Sequence, residues 1–398
     1  MRVLQLNAVY KTMSTGRLAY ELHHYFKEHG IESYVGYAQK NTSDENDPNV
    51  FKIGNKLDYK LHALLWRIDK HQGCHSVIST EMLLRKIGKI KPDVVLTHNL
   101  HSNYVHVDRL IRGLHAMNIP IVLALHDCWF LTGGCYHYTA IGCDGWLNEC
   151  SSCPKFGKAA SIKYKNNQKL FADTHPVILA TSKWIEREAK RSVLNENCRI
   201  EMIYDWIDLD FFHPREDTRI RKQLGIEGKM MILGVATSWG ENKGIKEMIE
   251  LAKAKPEYKI VIVGRLMNDT ELPENIIKIP FTESKDELAE LYSAADIFFN
   301  PSKQETFGLV SAEALACGTP IIVYNTTACP EFVTEDTGVI IDDKSEMLSA
   351  VERVISRNRS LGRDEVRIKC RQFATDNFHI SNIDKIIQLL ADVVAKER

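Results

Sequence analysis

No apolar run in this 398-residue sequence approaches the roughly 20 residues that an α-helix needs to cross a bilayer. An excess of either charge is missing as well: 51 Lys and Arg stand against 52 Asp and Glu, a net charge of −1. A dedicated nucleic-acid binder carries a basic surplus, so that class is set aside and no nucleic-acid partner is expected. The opening MRVLQLNAVYK runs straight into strand-like sequence, without the pattern of a secretory leader. There is no low-complexity tract, no short-period repeat and no paired-Asp motif of the kind that holds a catalytic Mg2+. The expected location is cytoplasmic, with the inner face of the cell membrane as the place of any membrane contact.

What is present suits a folded enzyme-sized protein: 44% hydrophobic and 26% charged residues, over a length fit for two or three domains. Short β-branched runs alternate with amphipathic helices. RVLQLNAV, PDVVLTHNL, PIVLALHD and VILATS read as buried parallel strands, and so do MMILGVATS, YKIVIVG, DIFFNPS and PIIVYN further on. Between the two sets, the segment 208–229 is charged and contains a proline. The expected fold is α/β, with two doubly wound, Rossmann-like domains facing a cleft: residues 1–208 and 209–375, followed by a helix in 376–398 packing back on the first domain. Ligands of such sheets bind beyond the carboxyl ends of the strands.

Ten cysteines are distributed unevenly. Cys135, Cys143, Cys150 and Cys153 follow the spacing C-x7-C-x6-C-x2-C inside the loop 128–153, and the final C-x2-C suits tetrahedral zinc. A closed set of four thiolates makes a structural zinc the expectation there, with no cofactor for catalysis. Unbound buried thiols or an oxidised pair stay open as alternatives. Cys128 is expected to be a packed thiol. A basic, aromatic stretch, KYKNNQKLF at 163–171 with KWIEREAKR after it, is the candidate for contact with anionic lipid.

The segment QETFGLVSAEALACGTP at 304–320 carries the strongest signal. A helix from Thr306 to Cys317 puts Glu313 beside an apolar stripe, where a carboxylate is costly unless it is bonded. The amides opening the helix have no intrahelical acceptor and form a natural phosphate seat, which Gly308 leaves open to close approach. Glu313 suits a ribose diol and Glu305 sugar hydroxyls, so together they fit a nucleotide sugar. Spacing alone leaves equally open that both are solvated surface carboxylates.

ETFGLVSAEALACGTPII resembles the E-x7-E signature of the retaining glycosyltransferases of family 4, which have the GT-B fold. DELAELYSAADIFFNPS and PEFVTEDTGVII resemble its flanks, and TSKWIEREAKRS with DWIDLDFFHP resembles the end of the family's first domain. STGRLAYELHHYFKEHGIES and HDCWFLTGGC are similar to a bacterial surface-polysaccharide subgroup. The resemblance implies a nucleotide-sugar donor and a saccharide acceptor, lipid-linked in some members. It assigns the donor ribose to Glu313, and the sugar and diphosphate to Glu305 with the amides of Phe307, Gly308, Leu309 and Val310. Lys243 is implied to neutralise the departing diphosphate, and His126 to lie near the transferred sugar. Asp127 is expected to orient His126 or to cap the next segment, while His98 and His101 are weaker candidates of the same type. The family commonly has an arginine where this chain has Ser238; Arg265, ending the next strand, is the candidate substitute, with an arginine merely exposed at a strand end equally open. A GT-B epimerase or phosphorylase, and a non-catalytic binder of nucleotide sugar or glycan, are the rival readings.

Overall fold

A computed structural model describes residues 1–39, 46–216, 218–280 and 284–397. The chain divides into two compact units, one made of Met1–Ile203 with Ile383–Arg398, the other of Tyr204–Asn382. Boundaries drawn from sequence at 208 and 375 therefore shift to 203 and 382. The reason lies in residues 204–212 and 378, which are tied together: the Ile207 amide donates to the Phe378 carbonyl at 2.8 Å, and the Tyr204 and Phe378 rings meet edge to face.

The first unit contains strands β1 (Arg2–Asn7), β2 (Glu32–Tyr37), β3 (Val50–Lys52), β4 (Val94–Thr97), β5 (Ile121–Leu125), β6 (Val177–Ala180) and β7 (Ile200–Met202). Helices α1 (Met13–Glu28), α2 (Lys56–Asp69), α3 (Val77–Ile90), α4 (Val107–Ala116), α5 (Lys158–Thr174) and α6 (Lys183–Lys190) connect them. All pairings are parallel, in the order β3-β2-β1-β4-β5-β6-β7. Val94, Val95, Leu96, Val122 and Leu123 are fully buried, as expected of strands covered on both faces. Side-chain caps fix helix starts: Asn55 Oδ1 accepts from the Leu57 and Asp58 amides, and Ser182 Oγ from the Ile185 amide.

The second unit carries α7 (Thr218–Gln223), β8 (Met231–Trp239), α8 (Ile245–Ala254), β9 (Lys259–Leu266), β10 (Ile276–Ile279), α9 (Lys285–Ala294), β11 (Ile297–Asn300), α10 (Leu309–Ala316), β12 (Ile321–Tyr324), β13 (Gly338–Ile341), α11 (Met347–Leu361) and α12 (Arg363–Phe378). The final helix, α13 (Asn382–Glu397), falls almost wholly in the first unit. The sheet is parallel, ordered β10-β9-β8-β11-β12-β13, with one hydrophobic cluster on each face. Strand order reverses between β8 and β11 here, and between β1 and β4 in the first unit. Loops leaving the carboxyl ends of strands at such a reversal diverge and open a crevice, the usual ligand position in open α/β sheets.

Candidate functional site

In the second unit the loops after β8 and β11 flank that reversal. Beyond β8 the chain makes a single 3-10 turn, Glu241–Lys243, and then Gly244 at φ +75°. A Cβ at Gly244 would lie 2.4–2.5 Å from Pro301, so only glycine lets the two loops come this close. The Lys303 amide donates to the Asn242 carbonyl at 2.9 Å, a further tie between them. The outcome is an ion pair, with Lys243 Nζ 2.5 Å from Glu305 Oε1. Glu305 is itself held by its backbone: its amide donates to Thr327 Oγ1 at 3.0 Å, and its carbonyl accepts from the Ala328 amide at 3.2 Å. Both charged ends stay partly exposed, so they remain able to meet a ligand.

The helix that follows is shorter than its sequence suggests. It begins at Leu309 rather than Thr306, because Gly308 takes φ +109°, outside the right-handed helical region. Leu309 and Val310 are thus its first-turn residues, and their amides lack an i−4 acceptor. Phe307 is 5% exposed and packs against Phe332 and Phe378 with ring centroids 5.3 Å away in each case, which anchors the turn. Glu313 lies little more than one turn into the helix and is 2% exposed. The alternative of a surface carboxylate is overturned at this position. Its partner is Tyr292 of α9, whose hydroxyl donates to Glu313 Oε2 at 2.9 Å. Sequence reasoning missed that tyrosine. Its signal was general: a buried phenol must find an acceptor.

Ser238 and Arg265 are register partners on β8 and β9, past a bulge that begins at Val235. Gly264, at φ +124°, accommodates the bulge, since a Cβ there would meet the Ala236 carbonyl oxygen at 1.8 Å. The exposed Arg265 therefore stands one strand away from the serine, at the carboxyl end of the same sheet.

In the first unit, His126 and His98 follow β5 and β4 directly. Their rings stack at 5.2 Å, and His98 Nδ1 lies 2.9 Å from His126 Nε2. His98 Nε2 faces Gln5 Oε1 of β1 at 3.2 Å. A carbonyl oxygen only accepts, so His98 donates from Nε2; neutral, it then accepts at Nδ1 from His126. Burial keeps both rings neutral: it holds His126 at about 4 and, with His126 as neighbour, His98 well below its usual value. Asp127 caps the segment that follows β5. It accepts from the Trp129 amide at 2.9 Å and pairs with His101 Nε2 at 2.7 Å. Burial alone would raise the Asp127 carboxyl, but the neighbouring His101 holds it below the ordinary range. His98, a lesser candidate by sequence, is the residue that positions His126.

All ten cysteines are free thiols. Among the described residues no three His, Cys, Asp or Glu are grouped to hold a metal ion, so zinc at Cys135, Cys143, Cys150 and Cys153 finds no support. The Gly133 amide donates to Cys150 Sγ at 3.2 Å and the Phe156 amide to Cys153 Sγ at 3.3 Å. Burial raises the Cys150 thiol to about 11. The loop has its own anchors: Trp129, Phe130, Tyr138 and Trp146 are buried, and the Tyr138 hydroxyl donates to Glu188. Cys128 is fully buried, a packed thiol.

The lipid contact expected at 163–171 is not shown: Lys165 and Lys169 are exposed there, but the aromatic residues of the stretch are buried. In α5 the side chains of Lys163, Tyr164, Leu170 and Phe171 point inward, with Lys163 Nζ 4.0 Å from the Trp129 ring centroid. Trp184 and Ile185 of α6 are buried too. Among the described residues, no helix is long and apolar enough to cross a membrane.

Comparison with known proteins places this geometry. Residues 15–211 match the family "Glycosyltransferase Family 4", and residues 216–373 match "Glycosyl transferases group 1". The GDP-mannose-dependent alpha-(1-6)-phosphatidylinositol dimannoside mannosyltransferase of Mycobacterium tuberculosis is 29% identical over 161 residues, 38% of this chain and 42% of that protein. The chain spans 42–44% of the length of several curated relatives it matches. The putative colanic acid biosynthesis glycosyl transferase WcaC of Escherichia coli is 21% identical over 378 residues, 88% of this chain and 90% of that one. The structure of Anabaena HepE in complex with UDP-glucose superposes with a TM-score of 0.70 at 14% identity, covering 100% of both chains, a likeness of fold. With two consecutive family matches and two parallel-sheet units of the corresponding fold, the chain belongs to the GT-B glycosyltransferases of the group 1 and family 4 type.

Proposed function

We propose that the protein is a retaining glycosyltransferase that moves a sugar from a nucleotide diphosphate donor, a UDP-sugar, to a saccharide acceptor in bacterial surface polysaccharide synthesis. The observation that carries the reading is the Lys243–Glu305 pair at the β8/β11 reversal, next to the first turn of α10. When the glycosidic C–O bond breaks, negative charge builds on the diphosphate. The Lys243 ammonium and the first amides of α10 are cationic or partly positive groups suited to stabilise it, and Arg265 adds a charge where Ser238 has none. Glu305 accepts hydrogen bonds from the transferred sugar, and Glu313 takes the ribose diol. His126 meets a sugar hydroxyl on the acceptor side. The leaving diphosphate takes the acceptor's proton, so the reading needs neither a protein base nor a catalytic metal. That HepE is described in complex with UDP and with UDP-glucose favours a uridine donor, and the name of WcaC favours the polysaccharide role.

The test is a thermal-shift screen of UDP-, GDP-, ADP- and TDP-sugars on the full chain. A donor present at 100 times its Kd stabilises by about 2.7 kcal/mol and raises the midpoint by several degrees. The reading fails if no sugar nucleotide shifts the midpoint, or if the shift survives in Lys243→Ala and Glu305→Ala.

A further inference from the structure

Helix α2 is built inside out. His62 is its one fully buried residue, whereas Leu57, Leu61, Leu64, Leu65 and Ile68 keep 37–76% of their surface exposed. At 3.6 residues per turn these five side chains share a stripe about 100° wide. The fold holds the helix by its opposite side. His62 Nδ1 donates to Ser76 Oγ at 2.9 Å, and the Gly73 amide donates to His62 Nε2 at 3.3 Å, which ties α2 to the start of α3. There the apolar surface continues, with Val77, Ile78 and Met82 exposed.

Charge identifies what covers this face. The exposed Lys56, Lys60 and Arg67 run along one rim of the stripe. Residues 52–91 contain nine Lys and Arg against three Asp and Glu, in a chain whose totals are 51 against 52. A second copy docking antiparallel through the same face would bring the two basic rims together and would be repelled. An apolar stripe with a cationic rim is the pattern of a helix lying in the interface of an anionic bilayer.

We propose that α2 and the start of α3 dock this protein on an anionic lipid surface, with Leu57, Leu61, Leu64, Leu65 and Ile68 among the acyl chains and the basic rim against lipid phosphates. The inference is independent of the proposed activity, because its readout is lipid binding alone.

The experiment is co-sedimentation of the full chain with vesicles of phosphatidylcholine alone, or of phosphatidylcholine mixed with phosphatidylglycerol, at low and high salt. Binding is expected to the mixed vesicles, weakened by salt. It should drop at least about tenfold in Leu61→Ser/Ile68→Ser and in Lys60→Glu/Arg67→Glu. The thermal midpoint should stay unchanged in both variants, because the altered side chains are exposed. Three results would overturn the proposal. They are absence of binding to mixed vesicles, equal binding by the wild type and both variants, or a wild-type dimer in sedimentation equilibrium that these substitutions dissociate.

Discussion

Glu313 offers a perturbation in which fold and ligand can be separated. Its carboxylate is 2% exposed and accepts from the fully buried Tyr292 hydroxyl at 2.9 Å. Glu313→Ala removes that acceptor, at about 1–3 kcal/mol, and leaves a small cavity besides, for a total of about 2–4 kcal/mol. In a unit of this size that lowers the midpoint by roughly 5–15 °C. Glu313→Gln keeps an amide oxygen for Tyr292, so its stability should fall by no more than about 1 kcal/mol. It nevertheless loses the charge that strengthens hydrogen bonds from a ribose diol, a difference of about 1.5–3 kcal/mol. Titration calorimetry of the glutamine variant should therefore show a UDP-sugar Kd raised about 10–100-fold at nearly wild-type stability. A glutamine variant that binds the donor like the wild type refutes the ribose assignment. An alanine variant with an unchanged midpoint refutes the account of burial.

Three further outcomes follow from the geometry. Arg265→Ala should raise donor Kd about tenfold, and Ser238→Arg in the same chain should restore binding; an unchanged Kd would show that Arg265 does not replace the missing charge. Gly244→Ala should destabilise by at least about 2 kcal/mol and weaken donor binding, since a Cβ there meets Pro301 and φ is +75°; a neutral substitution would contradict the close approach of the loops. For pH, His126 is held at about 4 when folded but titrates near 6.5 when unfolded, so between these values the unfolded chain binds more protons. Its contribution is complete above about pH 6.5 and is lost as pH falls towards 4, with the buried His98 acting in the same direction. The urea midpoint should drop across that window and drop less in His126→Gln; parallel curves for the two proteins would refute it.

Much of the fold was legible because parallel strands buried on both faces are spelled as β-branched runs, and those runs mark the strands here. The E-x7-E segment was legible for a related reason, since a carboxylate beside an apolar stripe needs an explanation from local sequence alone. Contacts between distant segments were not legible. Tyr292 reaches Glu313 from another helix, and His98 reaches His126 from another strand, so no spacing announces either pair. The helix start at Leu309 was missed because a glycine inside a helical pattern reads the same whether its φ is negative or positive. The cysteine spacing did not decide by itself, because a C-x2-C pair fits both a metal site and a loop held by tryptophans and tyrosines. At 163–171 composition gave the charge, and only the structure separates the buried Lys163, Tyr164, Leu170 and Phe171 from the exposed Lys165 and Lys169.

The most direct measurement of the central claim follows a sugar from donor to product. The chain, a UDP-sugar and a saccharide acceptor should release UDP and form one new glycosidic bond that keeps the donor's anomeric configuration, read by NMR of the product. Lys243→Ala and Glu305→Ala should lower kcat by at least about a hundredfold with little change in stability, because their ion pair is partly exposed. Release of UDP with inversion, or turnover indifferent to both substitutions, would contradict the account.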